Sequence, residues 1–171
     1  MKPTILAKMV IMAGMALWMS SIVLNNIVDA GTNIFNIENT ITMTLLKNDA
    51  VLGLGLKWRA WNEGYGALIL KCIVAYQLLI VMAFWLSACA FLRVCTGSMP
   101  EIKAIKIGTF SLIIFSILWI GFLCGGTWFG YWIKQGAFTG VHMNMLSLTV
   151  VLLIFINQPC QLAERANNNE K

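Results

Sequence analysis

Residues 67–92, ALILKCIVAYQLLIVMAFWLSACAFL, decide the fold of this chain. The run has no acidic residue, and its one basic residue, Lys71, stands near its start, where a long side chain can reach the membrane surface. A helix that crosses about 30 Å of hydrocarbon needs roughly 20 mostly apolar residues, because every backbone polar group must be paired within the helix. The stretch therefore predicts a membrane-spanning helix.

Three further long runs are free of charged residues, at 9–28, 107–123 and 141–156. The last run is short for a span, so its helix is expected to reach back through Phe138. We predict an all-α polytopic membrane protein, in which residues 1–171 form one transmembrane domain built as a four-transmembrane-helix bundle.

The composition agrees with four spans. Hydrophobic residues make up 59% of the chain and charged residues 11%, against roughly 45–50% and about 25% in soluble domains. The mean hydropathy is +0.78. These values exclude a disordered chain, a collagen-like repeat and an ordinary soluble enzyme.

Lysine and arginine are divided unevenly between the two ends of the predicted bundle. Seven lie in the N-terminal segment, the link between spans two and three and the tail, and four lie in the other connections. Positive side chains stay preferentially on the cytoplasmic side, so we expect both termini to lie in the cytoplasm of a bacterial cell, below the inner membrane, with 161–171 as a polar tail.

The first run is interpreted as a retained anchor, because no clear cleavage site follows it. Anionic lipid headgroups account for the net charge of +5, and no nucleic-acid partner is expected.

The first outer connection, 29–66, is too long to be without structure. From Ile34 to Asn48, steps of three and four place five residues near one face: Ile34, Ile37, Ile41, Leu45 and Asn48. This pattern predicts an amphipathic helix on the membrane surface with Asn33 as its N-cap. Aromatic residues occur in both outer connections: Trp58, Trp61, Tyr65, Trp128, Phe129, Tyr131, Trp132 and Phe138. Such rings prefer the headgroup depth, so we expect both connections to lie along the membrane.

Asn25, Asn26 and Asp29 form a candidate polar cluster at the outer end of the first span. Asn25 and Asp29 share a helix face, and Asn26 lies about 100° away. A carboxylate near membrane depth is costly unless it is paired, hydrated or at the rim. The cluster is either a cation site, a proton site or a partner contact, or it is a helix end that meets interfacial water and caps the next segment.

Gly121, Gly125, Gly126, Trp128 and Phe129 form a candidate helix-packing or partner surface. The spacing Gly121-x-x-x-Gly125 lets two helix backbones approach closely, where lipid supplies no hydrophobic drive for association. The helix packed there is either another helix of this chain, which we favour, or one from a partner or a second copy.

No pattern in the sequence indicates catalysis, a cofactor or a metal. The chain has five cysteines without a Cys-x-x-Cys pair, and His142 is its single histidine. Cys72 and Cys124 both belong to outer helix ends, so they are either unpaired packing residues or a disulfide. His142 is either a solvated rim residue or, with Asp29 or Glu63, part of a proton relay.

Four segments carry a resemblance to a known family: LNNIVDAGTN at 24–33, Trp58 with Arg59, WIGFLCGGTWFGYW at 119–132 and LLIFINQP at 152–159. With these segments the chain resembles, over nearly its full length, the DUF2165 family of predicted small integral membrane proteins. The resemblance implies four spans and carries no known activity. Similar members commonly have an acid where this chain has Thr127, and a Trp-Glu pair where it has Tyr76 and Gln77. An ion or proton pathway built on those acids would be absent or altered here.

Three classes of function are compatible with these residues. We favour a non-catalytic partner-binding protein, either an accessory subunit or a toxin-immunity type, because the outer connections are aromatic, the glycines form a stripe and the spans lack buried ionisable groups. The alternative is an oligomeric transporter or channel for a small solute or ion. A membrane enzyme ranks last. The expected partners are the lipid bilayer and a membrane protein or a second copy of the chain.

Overall fold

The computed structural model describes residues 3–158, so the expected tail at 161–171 lies outside the described residues, as does Cys160. Within that range the chain forms seven α-helices and one 3-10 helix. In chain order these are α1 (Pro3–Val28), α2 (Ala30–Ile41), α3 (Thr44–Lys47), the 3-10 helix (Leu54–Arg59), α4 (Gly66–Cys95), α5 (Glu101–Trp128), α6 (Tyr131–Lys134) and α7 (Gly136–Asn157).

Four helices in the described range, α1, α4, α5 and α7, are long and apolar enough to cross a membrane. The predicted all-α polytopic fold is confirmed. Each charge-free run lies inside its helix, and the helices extend beyond the runs. In α5, for example, Lys103 and Lys106 lie in the first turns. The charge-free run begins after these lysines, whereas the helix already includes them. With 30 residues, α4 is about 45 Å long, so its ends extend past the roughly 30 Å of hydrocarbon.

The long helices pack in a row, α1 on α4, α4 on α5 and α5 on α7. Large apolar side chains with almost no exposure fill the space between them, among them Met12, Phe84, Phe91, Leu112, Phe115 and Ile156. Phe84 of α4 meets Phe115 of α5 edge to face, with 5.3 Å between the ring centroids. Close side-chain contacts of this kind hold the bundle together, because lipid removes the hydrophobic drive between helices.

Lys8 joins three helices at one end of the bundle, which we call the terminal end. Its Nζ donates to the carbonyl oxygen of Gln158 at 2.8 Å and pairs with Glu101 Oε1 at 3.3 Å. The Lys8 side chain is 0% exposed. The sequence analysis placed Lys8 in the flank before the first span and did not predict its burial, whereas α1 begins at Pro3 and Lys8 is buried inside the bundle. A buried ammonium is tolerated here because a carboxylate and a carbonyl oxygen satisfy it.

The opposite end, which we call the loop end, holds α2, α3, the 3-10 helix and α6. Only Asp29, with φ −114° and ψ 53°, separates α1 from α2, and α2 packs on α4. The prediction of Asn33 as an N-cap was wrong, because the helix begins at Ala30 and Asn33 lies inside it. Leu45 was expected on the apolar face but is exposed, since α2 ends at Ile41. The position of α2 at the membrane surface stays a prediction.

Glu38 of α2 fastens the start of α4. Its Oε1 accepts hydrogen bonds from the backbone N–H groups of Gly64 and Gly66. These contacts satisfy a donor that the first turn of α4 leaves open, and they place a carboxylate at the positive end of the helix dipole. Ile41, Met43, Leu46 and Phe129 form a small second core nearby. The loop end is therefore a packed layer that covers one end of the bundle.

Candidate binding site

A cavity of about 630 Å³ lies at the loop end, bordered by α1, α2, α4, α5, α6 and α7. This volume is in the range of about 300–1,000 Å³ that ligand pockets occupy. Most of the lining is apolar, and it includes no Asp, Glu, Lys or Arg. Burial of an unpaired charge in such surroundings is costly, so the cavity favours an uncharged occupant.

Three side-chain amides form a connected row on the cavity wall. Asn33 Nδ2 donates to Asn26 Oδ1 at 3.2 Å, and Asn26 Nδ2 donates to Gln77 Oε1 at 2.7 Å. Gln77 lies within a long apolar helix and is 3% exposed. A buried amide in lipid needs a partner, and Asn26 supplies one. The row links α2, α1 and α4 and brings polar groups into an otherwise apolar space.

Aromatic rings form the facing part of the wall. The imidazole of His142 stacks on Phe122, with 4.9 Å between ring centroids, and lies 5.7 Å from Trp119 and 5.8 Å from Tyr131. The Tyr131 hydroxyl and His142 Nδ1 share a hydrogen bond of 3.2 Å. Burial raises the pKa of Tyr131, so the hydroxyl stays protonated at neutral pH. These rings present flat, weakly polar surfaces to the cavity.

Trp119 leaves a hydrogen-bond donor unused. The residue lines the cavity and is 5% exposed, and its Nε1–H is buried without an acceptor among residues 3–158. A buried donor without a partner costs about 1–3 kcal/mol.

The structure divides the predicted polar cluster. Asn26 lines the cavity as part of the amide row, whereas Asn25 of α1 and Asp29, which follows α1, are exposed and do not line it. Asp29 also makes no side-chain cap for α2. A functional role for these three residues stays a prediction.

The predicted glycine stripe borders the cavity. A Cβ placed on Gly121 or Gly125 would find no atom within 4 Å, so the internal helix contact that we favoured for this stripe is absent from the described residues. Both glycines line the cavity and widen it. Gly126 differs, because the Tyr131 ring packs directly on its backbone and leaves no room for a side chain.

Trp128 and Phe129 lie at the end of the same helix and face different surroundings. Trp128 is 47% exposed, and the Arg59 guanidinium lies 4.7 Å from its ring centroid and donates to its carbonyl oxygen. Phe129 is buried in the second core, where Trp61 meets it edge to face at 5.5 Å, and it also lines the cavity. Trp128 remains available to a partner at the surface, whereas Phe129 belongs to the cavity wall.

Within residues 3–158, no group of three His, Cys, Asp or Glu side chains is placed to hold a metal. Cys72 and Cys124 are free and exposed, so the disulfide that the sequence left open is not present.

The cavity could not be predicted from the sequence, and two residues that define it, Gln77 and Trp119, were not predicted as site residues. Gln77 carries a recognisable signal, since it is the only side-chain amide in the apolar run 67–92. Trp119 gives no such signal, because a tryptophan within a span is expected to pack. His142 was considered, but its partner is Tyr131 and not the Asp29 or Glu63 carboxylate that a proton relay would use.

Among known proteins, a family model described as "Predicted small integral membrane protein (DUF2165)" matches residues 4–159. No curated protein and no solved structure matches the chain. The matched region includes all of the four long helices except Pro3, and every residue of the cavity wall. The chain therefore belongs to the DUF2165 family of predicted small integral membrane proteins.

Proposed function

We propose that this small integral membrane protein is a non-catalytic binding protein that holds an uncharged, membrane-embedded partner in the loop-end cavity. Accessory subunits and immunity-type proteins act by binding of this kind. The observation that carries the proposal is the cavity of about 630 Å³, whose lining combines apolar side chains with a few polar groups and no Asp, Glu, Lys or Arg.

The lining supports binding more than chemistry. It includes neither a carboxylate nor a thiol, and His142 has the Tyr131 hydroxyl beside its Nδ1. General acid–base or nucleophilic catalysis needs a positioned pair of such groups within hydrogen-bond reach of the substrate. We therefore propose no enzymatic activity.

An oligomeric transporter remains the alternative, with less support. Phe84, Leu112 and Phe115 fill the centre of the bundle with no measurable exposure. A polar pathway would have to run between copies of the chain, and no observation in the described residues favours one.

Photo-cross-linking in native membranes tests the binding proposal. We would place p-benzoylphenylalanine at Ile73, which lines the cavity, and at Leu79, which is exposed on the same helix. We expect a discrete adduct from position 73 and only a spread of bulk-lipid adducts from position 79. Identical adduct patterns from the two positions would contradict the proposal.

A cavity-filling variant provides the matched control. Gly125→Leu places a large side chain in the cavity, whereas Gly14→Leu adds the same side chain on α1, away from the cavity lining, and neither glycine has an atom within 4 Å of an added Cβ. The adduct from position 73 should disappear in Gly125→Leu and persist in Gly14→Leu. Its persistence in both would mean that the partner does not occupy the cavity.

We also propose that both termini face the cytoplasm of a bacterial inner membrane. The uneven division of lysines and arginines between the sequence segments that flank the four spans supports this orientation. Reporter fusions after Gly97 and after Gln135 should fall on opposite sides of the membrane, with the first in the cytoplasm. The reverse pattern would overturn the proposed orientation.

A further inference from the structure

We infer that Arg59, held against the rings of Trp58 and Trp128 at the loop end, binds the phosphate of an anionic phospholipid. None of these three residues lines the cavity, so the inference does not depend on the proposed function. It rests on a cation that no carboxylate balances, on accessible N–H donors, and on exposed tryptophans at the end of a span.

The positive charge of Arg59 has no carboxylate partner within residues 3–158. The ion pairs in that range involve Lys8 and Lys134 instead. Lys57, on the same 3-10 helix, is in neither pair, and its Nζ donates to two backbone carbonyl oxygens. Two cations without a carboxylate partner, so close in the chain, favour a ligand with a net negative charge.

Arg59 also has hydrogen-bond donors that it does not use. Nη1 donates to the carbonyl oxygen of Trp128 at 3.2 Å, and this contact is at the surface. Nε–H is buried without an acceptor among the described residues, so a ligand does not reach it. Nη2, by contrast, makes no hydrogen bond within these residues and is not buried. The outer edge of the guanidinium therefore presents accessible N–H groups.

Two indole rings fix the direction of this edge. Arg59 Cζ lies 5.3 Å from the ring centroid of Trp58 and 4.7 Å from that of Trp128. The two rings meet edge to face, with 5.8 Å between their centroids. Cation–π contacts restrict the long side chain before a ligand arrives, so less conformational entropy is lost on binding. The planar fork of N–H groups matches the unesterified oxygens of a phosphodiester.

The position of the rings favours a lipid as the source of the phosphate. Trp128 ends α5, which is one of the helices able to span a membrane, and its side chain is 47% exposed. Trp58 is 71% exposed. Exposed tryptophans at the end of a span lie at the depth of the lipid headgroups, where phosphates are always present. A carboxylate of a partner protein offers similar oxygens, and the experiment treats it as the opposing outcome.

Native mass spectrometry of the full chain in detergent measures the binding of single lipid molecules. The probes are dioleoylphosphatidylglycerol and dioleoylglycerol, which has the same acyl chains without the phosphate, with inorganic phosphate as a competitor. Arg59→Gln removes the charge, and Arg59→Lys keeps the charge but removes the planar fork. Arg93→Gln makes the same exchange as Arg59→Gln at an exposed arginine near the end of α4, at the terminal end.

We expect dioleoylphosphatidylglycerol to bind about tenfold more tightly than dioleoylglycerol. Arg59→Gln should weaken this binding about tenfold and Arg59→Lys about threefold, whereas Arg93→Gln should change it by less than about twofold. Millimolar inorganic phosphate should not displace the lipid, because it lacks the acyl chains. Displacement by inorganic phosphate would overturn the inference. Equal binding by Arg59→Gln and Arg93→Gln would also overturn it and would favour an acidic partner protein as the ligand of Arg59.

Thermal unfolding separates a loss of binding from a loss of folding. Dioleoylphosphatidylglycerol should raise the Tm of the unaltered protein and of Arg93→Gln, because a ligand that binds the folded state stabilises it. The rise should be absent in Arg59→Gln. Each variant is compared with itself in the absence of lipid, so a lower starting stability does not affect the comparison. An equal rise in all three proteins would contradict the assignment of the phosphate to Arg59.

Discussion

Replacing Lys8 with methionine removes the charge that joins three helices at the terminal end. The ammonium contacts Glu101 of α5 and the carbonyl oxygen of Gln158, which follows α7. Methionine is apolar and of similar length to the lysine stem, so packing against the core changes little. The substitution therefore isolates the polar contacts.

The magnitude follows from the two contacts. A hydrogen bond to a charged group contributes about 1.5–3 kcal/mol. We assign the whole of this free energy to the Gln158 contact, which is short. The Glu101 contact is longer and the Glu101 side chain is 25% exposed, so we assign it about half of that free energy. Burial of the ammonium is itself unfavourable, which reduces the sum. We expect a loss of about 2 kcal/mol in the free energy of unfolding, which is a factor of about 30 in the unfolding equilibrium.

Titration with sodium dodecyl sulfate in mixed micelles, followed by tryptophan fluorescence, measures this change. Lys71→Met serves as the control, since Lys71 is exposed, and its unfolding free energy should change by less than about 0.5 kcal/mol. The double variant Lys8→Met/Glu101→Gln should lose about 1 kcal/mol less than the sum of its two single variants. If Lys8→Met unfolded like Lys71→Met, the view of Lys8 as a link between helices would be refuted.

Two further predictions concern the loop end. Gly126→Ala should destabilise the protein by about 1–3 kcal/mol in the same unfolding assay, because its Cβ would overlap the Tyr131 ring. Gly125→Ala, which has open space around the added Cβ, should be neutral or slightly stabilising. Equal effects of the two variants on the free energy of unfolding would refute the reasoning. Asp49 accepts a hydrogen bond from Lys134 Nζ at 2.7 Å, which with two backbone N–H groups holds the pKa of its carboxyl well below the usual range. This link stabilises the loop end above about pH 4 and is lost only as the pH falls through the lowered pKa. In an NMR titration the Asp49 midpoint should rise in Lys134→Gln, and an unchanged midpoint would assign the low pKa to the backbone contacts alone.

The membrane-spanning helices could be predicted because lipid imposes a length and a polarity on any segment that crosses it. Runs such as 67–92 satisfy both conditions without reference to any other part of the chain. Helix ends were less predictable, since a helix continues past the hydrocarbon into the region where lysines such as Lys103 are acceptable. The buried position of Lys8 could not be predicted either, because it depends on Glu101 and Gln158, which are distant in sequence.

The candidate site depends on the same kind of distant contact. Asn26 was singled out as one polar residue among three at the outer end of the first span, but its significance comes from Gln77 on another helix. Spacing alone suggested that Gly121 and Gly125 face a neighbouring helix, whereas the packed loop end leaves open space beside them. A cavity is a property of how helices diverge, and local sequence patterns do not encode that divergence.

The single residue between α1 and α2 fixes the rotational phase of one helix relative to the other. Each residue in an α-helix advances about 100° around the axis, so one residue inserted beside Asp29 would turn Asn33 and Asn36 away from the cavity. A substitution at Asp29 would preserve the phase, since this side chain is exposed and caps nothing. The junction is thus constrained in length, and relatives that keep the cavity should conserve the number of residues between the two helices.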